Sequence, residues 1–113
     1  MKAKFFTWDC DVNFKLYENL RLAILLTDPK DDSPIATASI NLPDEELDED
    51  AVFVKEYSEN AGMVKTLQDA NVITNEIVKT ANSGFVTIDA YRMSEETKKQ
   101  FQEVLNKIHK NEK

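Results

Sequence analysis

The sequence predicts an α+β fold: a mostly antiparallel sheet of about five strands, one short internal helix, and a C-terminal amphipathic helix packed on the sheet. Three observations carry that expectation. Apolar residues alternate with period two in "VNFKLYE" (12–18) and run almost unbroken through "LRLAILLT" (20–27), as strands require. The turn-rich "DPKDDSP" (28–34) then separates 20–27 from the β-compatible "IATASINL" (35–42), which sets the two up as a hairpin. From Ser94 onward, caps and a 3.6-residue apolar period mark a helix.

Taken in order, "KFFTW" (4–8) reads as an aromatic strand bounded by a polar turn, "DCD", at 9–11. In the next strand Val12, Phe14 and Leu16 face one way and Asn13, Lys15 and Tyr17 the other, until Glu18-Asn19 breaks the run. Residues 20–27 suit a central strand covered on both faces, and "AVFVKE" (51–56) suits a short one. "YSENAGMVKTLQDANV" (57–72) has the features of a helix, with Ser58 as N-cap and Glu59 in the first turn. Met63, Val64, Leu67 and Ala70 share its apolar face, and Asn71 suits the left-handed residue that ends it. "ITNEIVKTA" (73–81) and "SGFVTIDAYRM" (83–93) read as strands, with Gly84 at a positive φ in the turn between them. The last helix is capped by Ser94, starts with Glu95 and Glu96, and ends with Lys107, His109 and Lys110. Phe101, Val104, Leu105 and Ile108 make its inward stripe. With 113 residues, no internal repeat and no low-complexity linker, the whole chain (1–113) is expected to be one domain.

The net charge of −7 is concentrated in the middle of the chain. Residues 28–60 hold eleven acids against Lys30 and Lys55, a net of −9, and the rest of the chain is net +2. Phosphates would be repelled there, so direct binding of DNA, RNA or anionic lipid by this region is not expected. No apolar run reaches the roughly 18 residues of a membrane span, and the N-terminus lacks the apolar core of a signal peptide. One cysteine, Cys10, cannot form an internal disulfide, and a reducing, cytoplasmic location is the expectation.

Few residues suggest catalysis. His109 is the only histidine and reads as a solvated cation at a helix C-terminus. Cys10 lies between Asp9 and Asp11, whose charges disfavour a thiolate. One His and one Cys cannot build a Cys/His zinc site, and no phosphate-binding, dinucleotide or nucleophile-elbow motif is present. No cofactor or catalytic residue is therefore assigned. "DPKDDS" and "DEELDED" lack the spacing and glycine of a calcium loop, and a crowd of solvated acids is a poor glycosidase pair.

"LPDEELDED" (42–50) places six carboxylates in seven positions, interrupted by Leu47. A fully helical run would stack like charges at i, i+4, so at most one turn, begun by Pro43, is expected. Two readings stay open: a solvated connection between strands, or a recognition surface for a basic protein. On the second, Asp44, Glu45, Glu46, Asp48, Glu49 and Asp50 are the contact residues. Asp28, Asp31 and Asp32 from the hairpin turn, with Glu56 and Glu59, would join them on one face. Self-association through strand edges or the C-terminal helix is the alternative to such a partner.

"VFVKEYSENAGMVKTLQDANVI" and "SGFVTIDAYRM", with the hairpin before them, carry a resemblance. The chain resembles small proteins of a domain-of-unknown-function group found in phages, plasmids and other bacterial mobile elements. The shared pattern is a hairpin with Leu22, Ala23, Ile24, Asp28, Pro34 and Ala36, an acidic stretch, Tyr57-Ser58-Glu59-Asn60 with Gly62-Met63, and Ser83-Gly84-Phe85-Val86. The likeness spans about residues 12–92, leaving the helix 94–110 as an addition to the family core. Asn71, and Asp32-Ser33 in the hairpin turn, stand where the pattern has glycine. The resemblance implies a mobile-element origin and an α+β fold, and it brings no activity with it. Proteins of that type that blunt host defences make a basic, nucleic-acid-binding host protein the expected target, with the carboxylates imitating phosphates.

Overall fold

The computed structural model describes residues 1–111, with side chains through Ile108. The fold is α+β, with antiparallel strands in two sheets where one was expected. Strands β1 (Lys2–Phe5), β2 (Trp8–Leu16), β3 (Leu22–Thr27) and β4 (Pro34–Thr37) form a four-stranded meander. Strands β5 (Ala51–Phe53), β6 (Ile73–Ser83) and β7 (Val86–Met93) form the second sheet in the order β5-β7-β6. Helix α1 (Met63–Asp69) connects β5 to β6 after a 3₁₀ turn (Ser58–Asn60), and α2 (Glu95–Asn111) follows β7. His109 and Lys110, assigned to the last turn of α2 as cations, have side chains outside the described residues. No helix among the described residues is long and apolar enough to cross a membrane.

The split into two sheets occurs at Ser39. Ala38 still donates its N–H to Ile24 at 2.8 Å, but Ser39 bridges to Val54 of the second sheet. The departing backbone leaves the Ile24 N–H without a carbonyl, and the buried Ser39 hydroxyl accepts it at 2.9 Å. That substitution keeps a buried donor satisfied where the chain changes sheets. Strand β4 is therefore shorter than the 35–42 expected, and residues 38–40 pair with 53–55 instead.

The first hairpin also differs. Its two-residue turn is Phe6-Thr7, and "DCD" lies inside β2, where Ala3 pairs with Cys10 and Lys4 with Asp9. Phe6 holds a φ of +55°, a conformation that glycine adopts more easily, so no turn chemistry announced it. Cys10 points inward and is fully buried. Burial pushes its thiol pKa up, with Asp9, Asp28 and Asp11 adding to the effect and a backbone hydrogen bond at Phe5 opposing it.

Three left-handed positions match their sequence chemistry. Asn71, at φ +58°, ends α1 with Asn71 N–H on the Gln68 carbonyl at 3.0 Å and Val72 N–H on the Leu67 carbonyl at 2.8 Å. That pair of bonds is a Schellman ending. Gly84, at φ +61°, is the first of two residues between Ser83 and Val86, where a type II′ turn favours glycine. Asp32 has φ +60° in the turn after β3, a conformation that aspartate tolerates better than most residues.

Ser58 does not cap a helix. It sits in the 3₁₀ turn at φ +59° without a side-chain cap bond, and α1 starts only after Gly62. The carboxylate of Glu56 takes over the capping role. It accepts the N–H of Gly62, and the N–H of Val64 at 2.7 Å. These are orphan donors at the helix start, and an anion there also meets the helix dipole favourably. Ser94 does cap α2, accepting the Thr97 N–H at 3.1 Å.

The main core lies between the sheets. It combines Phe5, Leu22, Ile24 and Leu26 of the first sheet with Val52, Tyr91 and Met93 of the second, closed by Met63 and Leu67 of α1. Phe101 of α2 packs against it, while Val104, Leu105 and Ile108 are only half-buried, short of the inward stripe expected. The second sheet carries a smaller cluster on its other face: Phe53, Ala81, Ile88 and Ala90. Ile40, Leu42, Leu47 and Tyr57 cover that face.

Candidate acidic interaction surface

The acidic run lies over that outer face of the second sheet. Pro43 and Asp44 form a β-turn closed by the Glu45 N–H on the Leu42 carbonyl at 3.0 Å, and the chain turns again between Asp48 and Ala51 at 3.1 Å. Pro at the second position fixes φ for the first turn, and the run forms turns and a bend but no helix, avoiding like-charge stacking. Leu47, the interruption in the run, is the anchor: together with Leu42 it packs toward Phe53.

The basic residues that meet the loop come from the sheet beneath it. Arg92 pairs across β7–β5 with Ala51, and Lys79 across β6–β7 with Ala90, which sets both on the same face as Phe53. Arg92 holds Asp50 through Nη1, and lies 3.6 Å from Asp48 and 3.0 Å from Glu76 through Nη2. Glu76 first, and then Asp50, push the Arg92 pKa up. Lys79 lies 3.7 Å from Glu45, and Lys98 of α2 lies 3.6 Å from Asp50 and 3.0 Å from Glu95. Arg21, in the turn before β3, donates to the carbonyls of Leu42 (2.8 Å) and Glu45 (2.5 Å). Guanidinium groups suit both tasks because their donors form a rigid fork.

The six carboxylates thus divide. Glu45, Asp48 and Asp50 face cations of the chain itself. Asp44, Glu46 and Glu49 are exposed and have no ion-pair partner among the described residues.

The remaining candidates lie elsewhere. Strand β3 separates Arg21, under the loop, from Asp28 by seven residues, about 23 Å at 3.3 Å per residue. That is nearly three Debye lengths at physiological ionic strength, where one is about 8 Å. Asp28, Asp31 and Asp32 lie past the far end of β3 from Arg21. They shape their own turn: Asp28 accepts the Lys30 N–H at 2.9 Å, and Asp31 accepts the Ser33 N–H at 3.0 Å and hydroxyl at 2.7 Å. Those bonds hold the Asp31 carboxyl below its usual pKa, the Ser33 hydroxyl contributing most. Glu56 and Glu59 occupy a third location, at the start of α1. Glu56 is the helix cap, and Glu59 bonds Lys55 at 2.8 Å, which brings its pKa down to about 2.

Sequence reasoning found the loop and missed its clamp. Arg21, Lys79, Arg92 and Lys98 are far apart in the sequence; strand register brings Lys79 and Arg92 to the loop, and the turn before β3 and helix α2 bring Arg21 and Lys98. Among the described residues no group of three or more His, Cys, Asp or Glu side chains converges as a metal site. Comparison with protein-family models, with curated proteins and with solved structures gives no match.

Proposed function

We propose that this chain is a non-enzymatic binding protein whose acidic loop engages a basic protein surface. The observation that carries the reading is the outward set Asp44, Glu46 and Glu49 on a loop that is otherwise fixed by Leu42, Leu47, Arg21 and Arg92. A loop held in place before binding loses less conformational entropy when a partner arrives, so its charges act from a preorganised array. The resemblance to mobile-element proteins extends the proposal. The target is then a nucleic-acid-binding host protein whose phosphate-binding surface the carboxylates occupy, in the cytoplasm of the host.

Affinity purification at low salt, with wild type and the variant Asp44→Asn/Glu46→Gln/Glu49→Gln as parallel baits, tests this reading. A basic protein should be retained by wild type, released as salt rises, and bound at least tenfold more weakly (about 1.4 kcal/mol) by the variant. Duplex DNA should compete with the chain for that protein. A partner bound equally well by the triple variant would overturn the proposal.

A second reading, self-association, is favoured by a different observation. Phe6 (67% exposed) and Trp8 (57%) crown one hairpin, and Phe85 is fully exposed at the tip of another. Sedimentation of wild type against Trp8→Ser and Phe85→Ser decides it: a concentration-dependent oligomer that the two changes abolish would favour this reading.

A further inference from the structure

A groove of about 520 Å³ runs between α2 and the acidic loop. Its base is apolar: Leu22 and Met93 are buried beneath it, and Leu47 closes one side. Its lip is apolar as well, with Leu20 at 47% exposure on one bank and the half-buried Phe101 and Leu105 of α2 on the other. Apolar side chains gathered in a groove with a polar rim offer a contact surface to an apolar anchor.

The charge around the groove selects its occupant. Asp48, Glu49 and Asp50 form the wall on the loop side. The cations that line the groove are both engaged: Arg21 on the Leu42 and Glu45 carbonyls, and Lys98 on Asp50 and Glu95. Glu49 has no ion-pair partner among the described residues, and Asp48 shares a single arginine with Asp50 and Glu76. The open charge is therefore negative. An occupant must bring apolar side chains for the floor and cations for the wall.

The backbone decides between strand and helix. The sheets reach the groove only at strand ends, with Leu22 opening β3, Ala51 opening β5 and Met93 closing β7. An added strand would find too short an edge to pair along. Phe101 and Leu105, by contrast, are spaced i, i+4 along α2, the interval at which a second helix laid beside it presents its own anchors.

We infer that this groove is the docking site for a basic amphipathic helix of the partner protein, with apolar anchors between Leu20 and the Phe101–Leu105 stripe and lysines or arginines on Asp48 and Glu49. The inference rests on the acidic-surface reading above and names the partner's chemistry.

The test uses the full chain and two fluorescent peptides of Leu and Lys, each about five helical turns long. One arranges its leucines along a single face, and the other scrambles the same composition. The amphipathic peptide should bind at least tenfold more tightly than the scrambled one. Leu20→Asn and Leu105→Gln should each weaken the amphipathic peptide at least fivefold and leave the scrambled one unchanged. Leu20 has φ +68°, which asparagine tolerates better, and Leu105 is half-exposed in a helix that glutamine suits, so both variants should keep their circular dichroism. Equal binding of the two peptides, or indifference to both leucine changes, would overturn the groove while leaving the acidic surface standing. If neither peptide responds to Asp44→Asn/Glu46→Gln/Glu49→Gln, or to Asp48→Asn/Glu49→Gln, the acidic reading falls and the groove proposal with it.

Discussion

Two aspartate-rich segments of this chain look interchangeable in sequence and behave differently in the fold. The turn at 28–33 uses its carboxylates on its own backbone, with Asp28 and Asp31 each accepting an N–H two residues on. It needs no help from the rest of the molecule. The loop at 42–50 cannot do this for so many charges; its own Leu42 and Leu47 anchor it on the sheet beneath, and arginines from elsewhere in the chain hold its sides. Local hydrogen bonding makes aspartates structural in the first case. In the second, long-range clamping fixes the backbone while turning three carboxylates to solvent. Charge density alone therefore does not identify a recognition surface; what matters is which carboxylates remain after the chain has used the others.

The largest test of that contrast removes the anchors. Leu42→Ala/Leu47→Ala truncates two half-buried side chains and should cost about 3 kcal/mol in total. Thermal melting should fall by roughly 10 °C for a domain of this size. Hydrogen exchange should accelerate across 42–50 and leave the 28–33 turn as it was. If both segments were freed equally, or neither, the distinction between clamped and self-contained acids would fail.

Arg92→Gln comes next. It leaves Asp48, Asp50 and Glu76 close together without their shared cation, although Lys98 still reaches Asp50. A melting decrease of a few degrees is expected, roughly 3 °C, discounted for the exposure of the network. Because the remaining acids repel, added salt should narrow the gap between variant and wild type. A gap that does not change with salt would mean that Arg92 acts by packing its aliphatic stem.

How much of this was legible follows from the range of each signal. Local chemistry was readable. Asn71 and Gly84 suit the left-handed positions they occupy, Ser94 suits the cap it forms, and the alternation through Val12 and Phe14 matches the inner face of β2. Features that depend on remote partners were not. Nothing near Ser39 shows that its hydroxyl will replace a carbonyl and release the chain to a second sheet. Phe6-Thr7 lacks turn chemistry, whereas Asp9-Cys10-Asp11 has it and is strand, because Cys10 is wanted inside. Ser58 resembles a cap but is displaced by Glu56, whose carboxylate reaches forward from outside the helix. The acidic run itself was obvious. Its division into bound and free carboxylates was not, since Arg92 lies more than forty residues from Asp50 in sequence.

The self-contained turn should prove insensitive to loss of charge at Asp32. Asp32→Gly removes a carboxylate from a left-handed residue, so relief of backbone strain offsets the greater freedom of glycine in the unfolded chain. The net change should stay within about 0.5 kcal/mol. Partner affinity should also stay put, since the turn lies far from the loop. A tenfold loss of binding on this change would rejoin the two segments into one surface.

The smallest expected effect concerns Glu59, and it separates a local ion pair from the recognition surface. Its carboxyl is depressed to about 2, first by the hydrogen bond from Lys55, while that bond raises the Lys55 pKa. A depressed acid adds stability above its unfolded pKa of about 4.3, and that contribution is lost as pH falls through the folded value near 2. The raised Lys55 adds stability below its unfolded pKa of about 10.4, lost as pH rises through its folded value. The pair is thus fully effective between about pH 4.3 and 10.4. Glu59→Gln should lower the melting temperature within that window by no more than about 2 °C, because both partners are solvated. The difference should shrink steadily below pH 4 and disappear where the wild-type carboxylate is itself protonated. Affinity for the basic partner should stay within about twofold of wild type at neutral pH, since Glu59 is already neutralised by Lys55. A large loss of affinity would mean that Glu59 leaves Lys55 to meet the partner, and the acidic surface would then extend from the loop to the start of α1.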